Sequence, residues 1–324
     1  MGDPAGIGAE IIVKAFADDE LNNICRPVII GDAAYLERTA NECGIKIDFI
    51  ELQKADQIPE THSSPLIYNL DNLDRDFPIG KESAVGGKAS AEYIETAVKL
   101  WKQKDLDAIT TAPINKKALS MGGYEFPGHT EFLASLTDTK DFAMSFFAED
   151  LCVVLLSIHL SLQKAIESVK RDKLVELIRF IDRELSGLLK KEVKIAVSGL
   201  NPHASEGGMF GDEEALEIEP AVEECREKFD IDVSGPFSAD TVFLRGFEGE
   251  FDAVVACYHD QATIAVKCLS FGASVNVTLG LPLIRTSVDH GTAYDIAGKN
   301  AADCSSLKAA VKLAAKLARI HNTP

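Results

Sequence analysis

Four histidines stand in polar, glycine-rich or strand-end settings rather than on apolar faces. They are His129 in Phe-Pro-Gly-His-Thr-Glu, His159 in Leu-Leu-Ser-Ile-His-Leu, His203 in Leu-Asn-Pro-His-Ala-Ser-Glu-Gly-Gly and His259 in Ala-Cys-Tyr-His-Asp-Gln. His159, His203 and His259 each end an apolar run or follow closely after one. A residue at the carboxyl end of a buried strand points into the crevice where open α/β sheets bind ligands. Neutral imidazole is a common ligand for zinc and its neighbours, so three such residues converging would make a metal site. A lone histidine is more often structural or superficial. Repetition of one placement brings the metal reading level with that alternative. Pro202 forces an extended turn just before His203, and Asp260 could fix the tautomer of His259 or ligate a metal itself.

Other residues are suited to anions. His129 and Thr130 stand where a helix should start, offering side-chain donors beside free amides, though a capping motif with Thr130 and Glu131 explains them too. Lys267, Asn276 and Arg285 interrupt apolar stretches that read as two strands and a loop. Polar groups in such runs must be paired or wet, and two cations with an amide donor fit an anionic substrate. Gly2-Asp3-Pro4-Ala5-Gly6-Ile7-Gly8 could aim amides at an anion or could be an ordinary tight turn into a helix. It matches neither nucleotide-binding glycine fingerprint. The run from Thr110 to Lys116 reads foremost as capping chemistry. Glu206-Gly207-Gly208 and the acids from Asp212 to Glu214 read as a loop and a helix start. Asp289-His290-Gly291-Thr292-Ala293-Tyr294-Asp295 is a loop with acceptors and amides that could take a nucleoside.

These residues need a scaffold. Strand-like runs at 27–31, 46–52, 107–112, 142–148, 151–159, 194–200, 252–259 and 274–279 alternate with helical patterns at 83–104, 171–189, 211–228 and 305–320. The alternation predicts an α/β architecture with a largely parallel sheet. The run 142–159, broken at Glu149-Asp150, predicts an antiparallel hairpin, so the sheet should be mixed. A turn like 2–8 normally follows a buried strand, yet only Met1 precedes it. Either a first strand is missing or the start is set too late.

Composition sets limits. With 324 residues, 46% of them hydrophobic and 26% charged, the chain reads as a soluble globular protein of two domains or one large one. A net charge of −18 argues against nucleic acid or an anionic membrane as partner. Seven scattered cysteines, without Cys-x-x-Cys, read as reduced thiols of a cytoplasmic protein.

Taken together, Gly-Asp-Pro-Ala-Gly-Ile-Gly, Pro-Gly-His-Thr-Glu, Leu-Asn-Pro-His-Ala-x-Glu-Gly-Gly, Tyr-His-Asp-Gln and Asn-Val-Thr-Leu-Gly-Leu-Pro-Leu-Ile-Arg-Thr-Ser-Val-Asp-His-Gly-Thr-Ala resemble the 4-hydroxythreonine-4-phosphate dehydrogenase family of pyridoxal phosphate biosynthesis. The Gly-Asp-Pro opening and the 138–144 segment also resemble its sister branch, which oxidises D-threonate or D-erythronate 4-phosphate. The resemblance implies an isocitrate/isopropylmalate dehydrogenase-like fold, two α/β/α domains with a mixed sheet and a cleft between them. The expected division is 1–125 plus 286–324, carrying the glycine turn and cofactor loop, and 126–285, carrying metal and substrate residues and the dimer interface.

The resemblance also implies roles. His159, His203 and His259 would bind one divalent metal, zinc or alternatively magnesium or cobalt, shared between the subunits of a homodimer. His129, Thr130, Lys267, Asn276 and Arg285 would bind a phosphorylated hydroxy acid. His290, Gly291, Thr292, Ala293 and Asp295 would hold the adenosine end of NAD or NADP. Lys267, Asp260 and His129 are the candidate proton carriers. The implied reaction oxidises 4-phosphooxy-L-threonine to 2-amino-3-oxo-4-phosphooxybutanoate, which decarboxylates to 3-amino-2-oxopropyl phosphate. The alternative is oxidative decarboxylation of D-threonate or D-erythronate 4-phosphate to dihydroxyacetone phosphate. More distant is a non-catalytic sensor of metal and phospho-acid.

Overall fold

The runs richest in β-branched residues become strands buried on both faces. In the computed structural model, which describes residues 1–52, 59, 64–74, 76–270 and 273–323, the strands are β1 (Val28–Gly31), β2 (Ile50–Leu52), β3 (Leu66–Asn69), β4 (Ala108–Thr111), β5 (Ala143–Ala148) and β6 (Leu151–Leu155). They continue with β7 (Ile195–Ser198), β8 (Val233–Phe237), β9 (Ala253–Ala256), β10 (Val275–Leu279) and β11 (Ile284–Ser287). The chain divides into two compact units, Met1–Lys140 with Leu281–Ala318, and Asp141–Gly280 with Arg319–Pro324.

The first unit holds a parallel sheet in the order β1-β3-β2 and the parallel pair β4 and β11. Side chains cap its helices: Asp32 accepts from Tyr35, Ser83 from Gly86 and Asn115 from Ala118. Met1 is buried, and its amine donates to the Ile30 carbonyl at 2.8 Å. Burial lowers that amine to about 5. The segment 126–140, which the expected division gave to the second domain, lies in this unit. Phe126 stacks on Phe132 with ring centroids 4.5 Å apart, and Phe132 and Leu133 are buried in the unit's core.

The second unit carries its strands in the order β10-β5-β6-β9-β7-β8. β5 pairs antiparallel with β10 and β6, forming the expected hairpin, while β6, β9, β7 and β8 run parallel. Every residue of β6, β7 and β9 is buried, as central parallel strands require. The helix Arg171–Leu189 buries Leu174, Val175, Ile178, Ile181 and Leu185, one stripe at helical spacing.

Three elements differ from expectation. The strand at 46–52 is only Ile50–Leu52. The run toward His159 ends at Leu155, and the run toward His259 ends at Ala256. His259 instead opens the helix His259–Ser270, which also contains Lys267. Gln261, the third residue of that helix, reaches back to the amide of Cys257 at 2.7 Å in the manner of a capping box, so the strand gives way to a helix.

Candidate active site

In the second unit the chain leaves three adjacent parallel strands, ordered β6-β9-β7, toward His159, His259 and His203 respectively. This is the carboxyl edge, where open α/β sheets gather ligand-binding groups. The rings of His159 and His259 have centroids 5.8 Å apart. His259 Nδ1 pairs with Asp260 Oδ1 at 2.7 Å. With Nδ1–H as the donor, that bond leaves the Nε2 lone pair for a ligand. His203 sits in the turn Pro202–Glu206, exposed, with Phe210 6.2 Å from its ring. Among the described residues no group of three or more His, Cys, Asp or Glu side chains is placed to hold a metal ion. The structure therefore brings His159 and His259 together and leaves His203 on its own turn. Lys267 is exposed on the helix His259–Ser270, and Asn276 is half-buried on β10 opposite Phe146.

The first unit gathers the other set. Thr110 and Thr286 are register partners whose hydroxyls meet at 2.9 Å, joining β4 to β11. One residue earlier on β11, Arg285 is 3% exposed and donates from Nη2 to Thr111 Oγ1 at 2.8 Å. Burial pushes this guanidinium down to about 10, and nearby Glu131 opposes that, so Arg285 stays charged at neutral pH. His129 is the first residue of the helix His129–Leu136. Its Nε2 is shielded from solvent and has no hydrogen-bond partner. Burial first, then the charge of Arg285, holds His129 well below its ordinary value, so it is neutral at neutral pH. A buried cation beside an unused imidazole nitrogen suits an oxyanion, because both groups can donate in a place where water competes weakly. Thr130 follows His129 on the same first turn.

The candidate cofactor loop is braced from the chain's other end. Ile7 donates its amide to the Thr292 carbonyl at 2.9 Å, and Tyr294 Oη donates to Asp3 Oδ2 at 2.5 Å. A side chain at Gly6 would strike the Thr292 carbonyl at 2.7 Å, so the close approach needs glycine. The amides of Asp3, Ala5, Gly6 and Ile7 all donate to acceptors within the protein. These four amides of the 2–8 turn are thus spent on the fold. Within the loop, His290 Nδ1 lies 3.1 Å from the Gly291 carbonyl, and its Nε2 is shielded and has no hydrogen-bond partner. Thr292 is buried, Ala293 has a left-handed φ of 42°, and Asp295 is exposed.

Sequence reasoning gave the acids of 212–214 to a solvated helix start, yet Glu214 is 1% exposed. Its spacing from Ile218, Ala221, Val222 and Cys225 puts it on the buried face, a signal the helical period carried. Asp3 and Tyr294 were likewise given no role.

The family model described as Pyridoxal phosphate biosynthetic protein PdxA matches residues 23–314. The chain belongs to this family. D-threonate 4-phosphate dehydrogenase of Cupriavidus necator is 45% identical over 322 residues, covering 98% of this chain and 96% of its own. The crystal structure of a 4-hydroxythreonine-4-phosphate dehydrogenase from Burkholderia phymatum matches with a TM-score of 0.86 at 42% identity, covering 98% of this chain and 96% of that one. That of the Klebsiella pneumoniae 4-hydroxythreonine-4-phosphate dehydrogenase matches with a TM-score of 0.90 at 38% identity, covering 98% of both. The two solved structures carry the same mixed α/β fold, and membership of the PdxA family makes the chain an oxidoreductase of the dehydrogenase kind. No helix among the described residues is long and apolar enough to cross a membrane.

Proposed function

We propose that this PdxA-family protein is a metal-assisted dehydrogenase that oxidises D-threonate 4-phosphate or a close relative with NAD or NADP. The observation that carries the reading is the pair His159 and His259 at adjacent strand exits, with Asp260 holding one imidazole. An all-imidazole donor set suits zinc or cobalt, and magnesium less well. His203 completes the set in this reading, with a second copy of the chain sharing the site. A divalent metal, when bound, lowers the pKa of a carbinol hydroxyl, and the nicotinamide supplies the hydride acceptor.

The chain's own residues supply binding and proton handling. Arg285, His129 and Thr130 take the phosphate, and Lys267 and Asn276 are assigned to the substrate as well. His129, Lys267 and Asp260 are the proton carriers, and the neutrality of His129 equips it to accept one. His290, Gly291, Thr292, Ala293 and Asp295 hold the adenosine end of the dinucleotide, with the unpaired His290 Nε2 as a ready donor or acceptor. Oxidation beside the carboxylate-bearing carbon gives a β-keto acid, which loses carbon dioxide readily. The scattered cysteines are all free, in keeping with a cytoplasmic setting.

D-threonate 4-phosphate is preferred because curated relatives at 42% to 45% identity over nearly the whole chain carry that substrate in their names. The second reading, 4-phosphooxy-L-threonine, rests on the solved structures named for it at 38% to 42% identity. NADH absorbance with each substrate, with and without chelator, tests both. The expected result is a kcat/KM for D-threonate 4-phosphate at least about tenfold above the others, lost on chelation. No NADH from any of them with zinc, cobalt or magnesium present would overturn the dehydrogenase reading.

A further inference from the structure

We infer that Gln261 is the positioning residue that fixes the strand exit leading to His259 against the one leading to His203. This rests on the metal reading above and assigns a residue that reading does not use. Both ends of one amide are occupied: Gln261 Oε1 accepts from the Cys257 amide at 2.7 Å, and Nε2 donates to the Gly199 carbonyl at 2.8 Å. Cys257 lies two residues before His259, and Gly199 lies at the start of the passage toward His203. Gln261 therefore bolts the exit of β9 to the exit of β7.

The third exit is tied to the same point. Ser157 Oγ donates to the Cys257 carbonyl at 3.0 Å, two residues before His159. Leu156 donates its amide to the Ala256 carbonyl at 2.9 Å. Cys257 Sγ reaches the Ser198 carbonyl at 3.4 Å. Cys257 is thus a hub with its amide, carbonyl and thiol each facing one tie.

The passage from Gly199 to His203 transmits the position without slack. Glu214 Oε1 accepts the amides of Leu200 and Asn201 at 2.8 and 2.7 Å, and its Oε2 accepts Asn201 Nδ2 at 2.8 Å. A side chain at Gly199 would meet Ala204 at 2.9 Å, so the turn folds directly onto the bolted residue. His203, Ala204, Ser205 and Glu206 all hold left-handed φ, from 47° to 70°. Such conformations persist only where the surroundings over-determine them. Parallel strands hold neighbouring exits about 5 Å apart, but the polypeptide beyond each strand is free unless tied. These bonds are the ties.

The test uses Co2+ as the probe, with affinity by calorimetric titration and site geometry by the d–d absorption bands. Gln261→Leu should weaken Co2+ binding about 10- to 100-fold, the usual effect of losing a residue that orients metal ligands, and should change the band pattern. Its near-UV circular dichroism should match the wild type. An affinity within about twofold of wild type with unchanged bands overturns the inference. If Gln261→Leu does not fold, Gln261→Glu decides, because it keeps the acceptor for Cys257 and loses the donor to Gly199: weaker binding with altered bands supports the tie, and unchanged binding overturns it. His259→Ala is the reference. If it binds Co2+ as tightly as wild type, the metal reading itself fails. If it loses the metal while the Gln261 variant keeps it, only the positioning role fails.

Discussion

Arg285 with His129 in the first unit and the histidines of the second are built on opposite principles. Arg285 is buried and charged, pre-paired with Thr111, and His129 beside it is stripped of its proton by burial. His159 and His203 are exposed, and what is fixed about them is the backbone behind them. A site for an oxyanion gains from low dielectric, where a guanidinium acts strongly. A site for a metal needs open lone pairs and correct spacing, so rigidity is placed in the scaffold and the side chains stay accessible.

Substitution should separate the two designs. His203→Ala or His159→Ala should cut turnover by at least about 10³-fold, because Lewis-acid assistance contributes several kcal/mol. Far-UV circular dichroism and the melting temperature should be unchanged, since both side chains are exposed. Undiminished turnover would end the metal assignment. Arg285→Met should lower kcat/KM about 10- to 100-fold, mainly through KM, the worth of a lost charged hydrogen bond. Its melting temperature should hold or rise, because an apolar side chain replaces a buried charge. A large fall in melting temperature with KM intact would make Arg285 structural.

A pH titration sharpens the contrast further. The folded-state pKa of His129 lies below its ordinary value, so between the two values the unfolded chain binds the extra proton. The stability from neutral His129 is intact above about pH 6.5 and is lost as pH falls below it, by at most about 1.4 kcal/mol per pH unit. Urea midpoints from pH 7 to 5 should fall more steeply for wild type than for His129→Asn. Parallel curves would refute the burial argument. The smallest effect is expected at Tyr294→Phe, which removes the bond to Asp3. The KM for dinucleotide should rise about two- to tenfold with kcat little changed; an unchanged KM would detach the 2–8 turn from the loop's function.

The sequence was most legible where one period ruled. The hairpin of β5 and β6 showed as an apolar run broken at Glu149, which takes a left-handed φ of 53°. The stripe on Arg171–Leu189 and the buried strands that lead toward His159 and His203 were equally plain. β8 was hidden, because Val-Ser-Gly-Pro-Phe is only half-buried along an outer position of its sheet and carries residues that disfavour strands. The helix at His259 was hidden for a different reason. The apolar run reads as a strand through His259, and only the reach of Gln261 back to Cys257 separates strand from helix. Lys267 was therefore expected on a strand and lies on a helix. For Glu214 the helical period carried the inward turn, but local pattern could not show its donors, which come from Leu200 and Asn201.

The bond between Asp3 and Tyr294 spans 291 residues. On the ribosome, the turn at 2–8 leaves the exit tunnel long before its partner loop and must wait for it. The stretch Asp141–Gly280 is released before Tyr294, so nearly all of the second unit can fold while the first unit's core still lacks Leu281, Leu283 and Val288. A segment made before the second unit is thus fixed in place only after it.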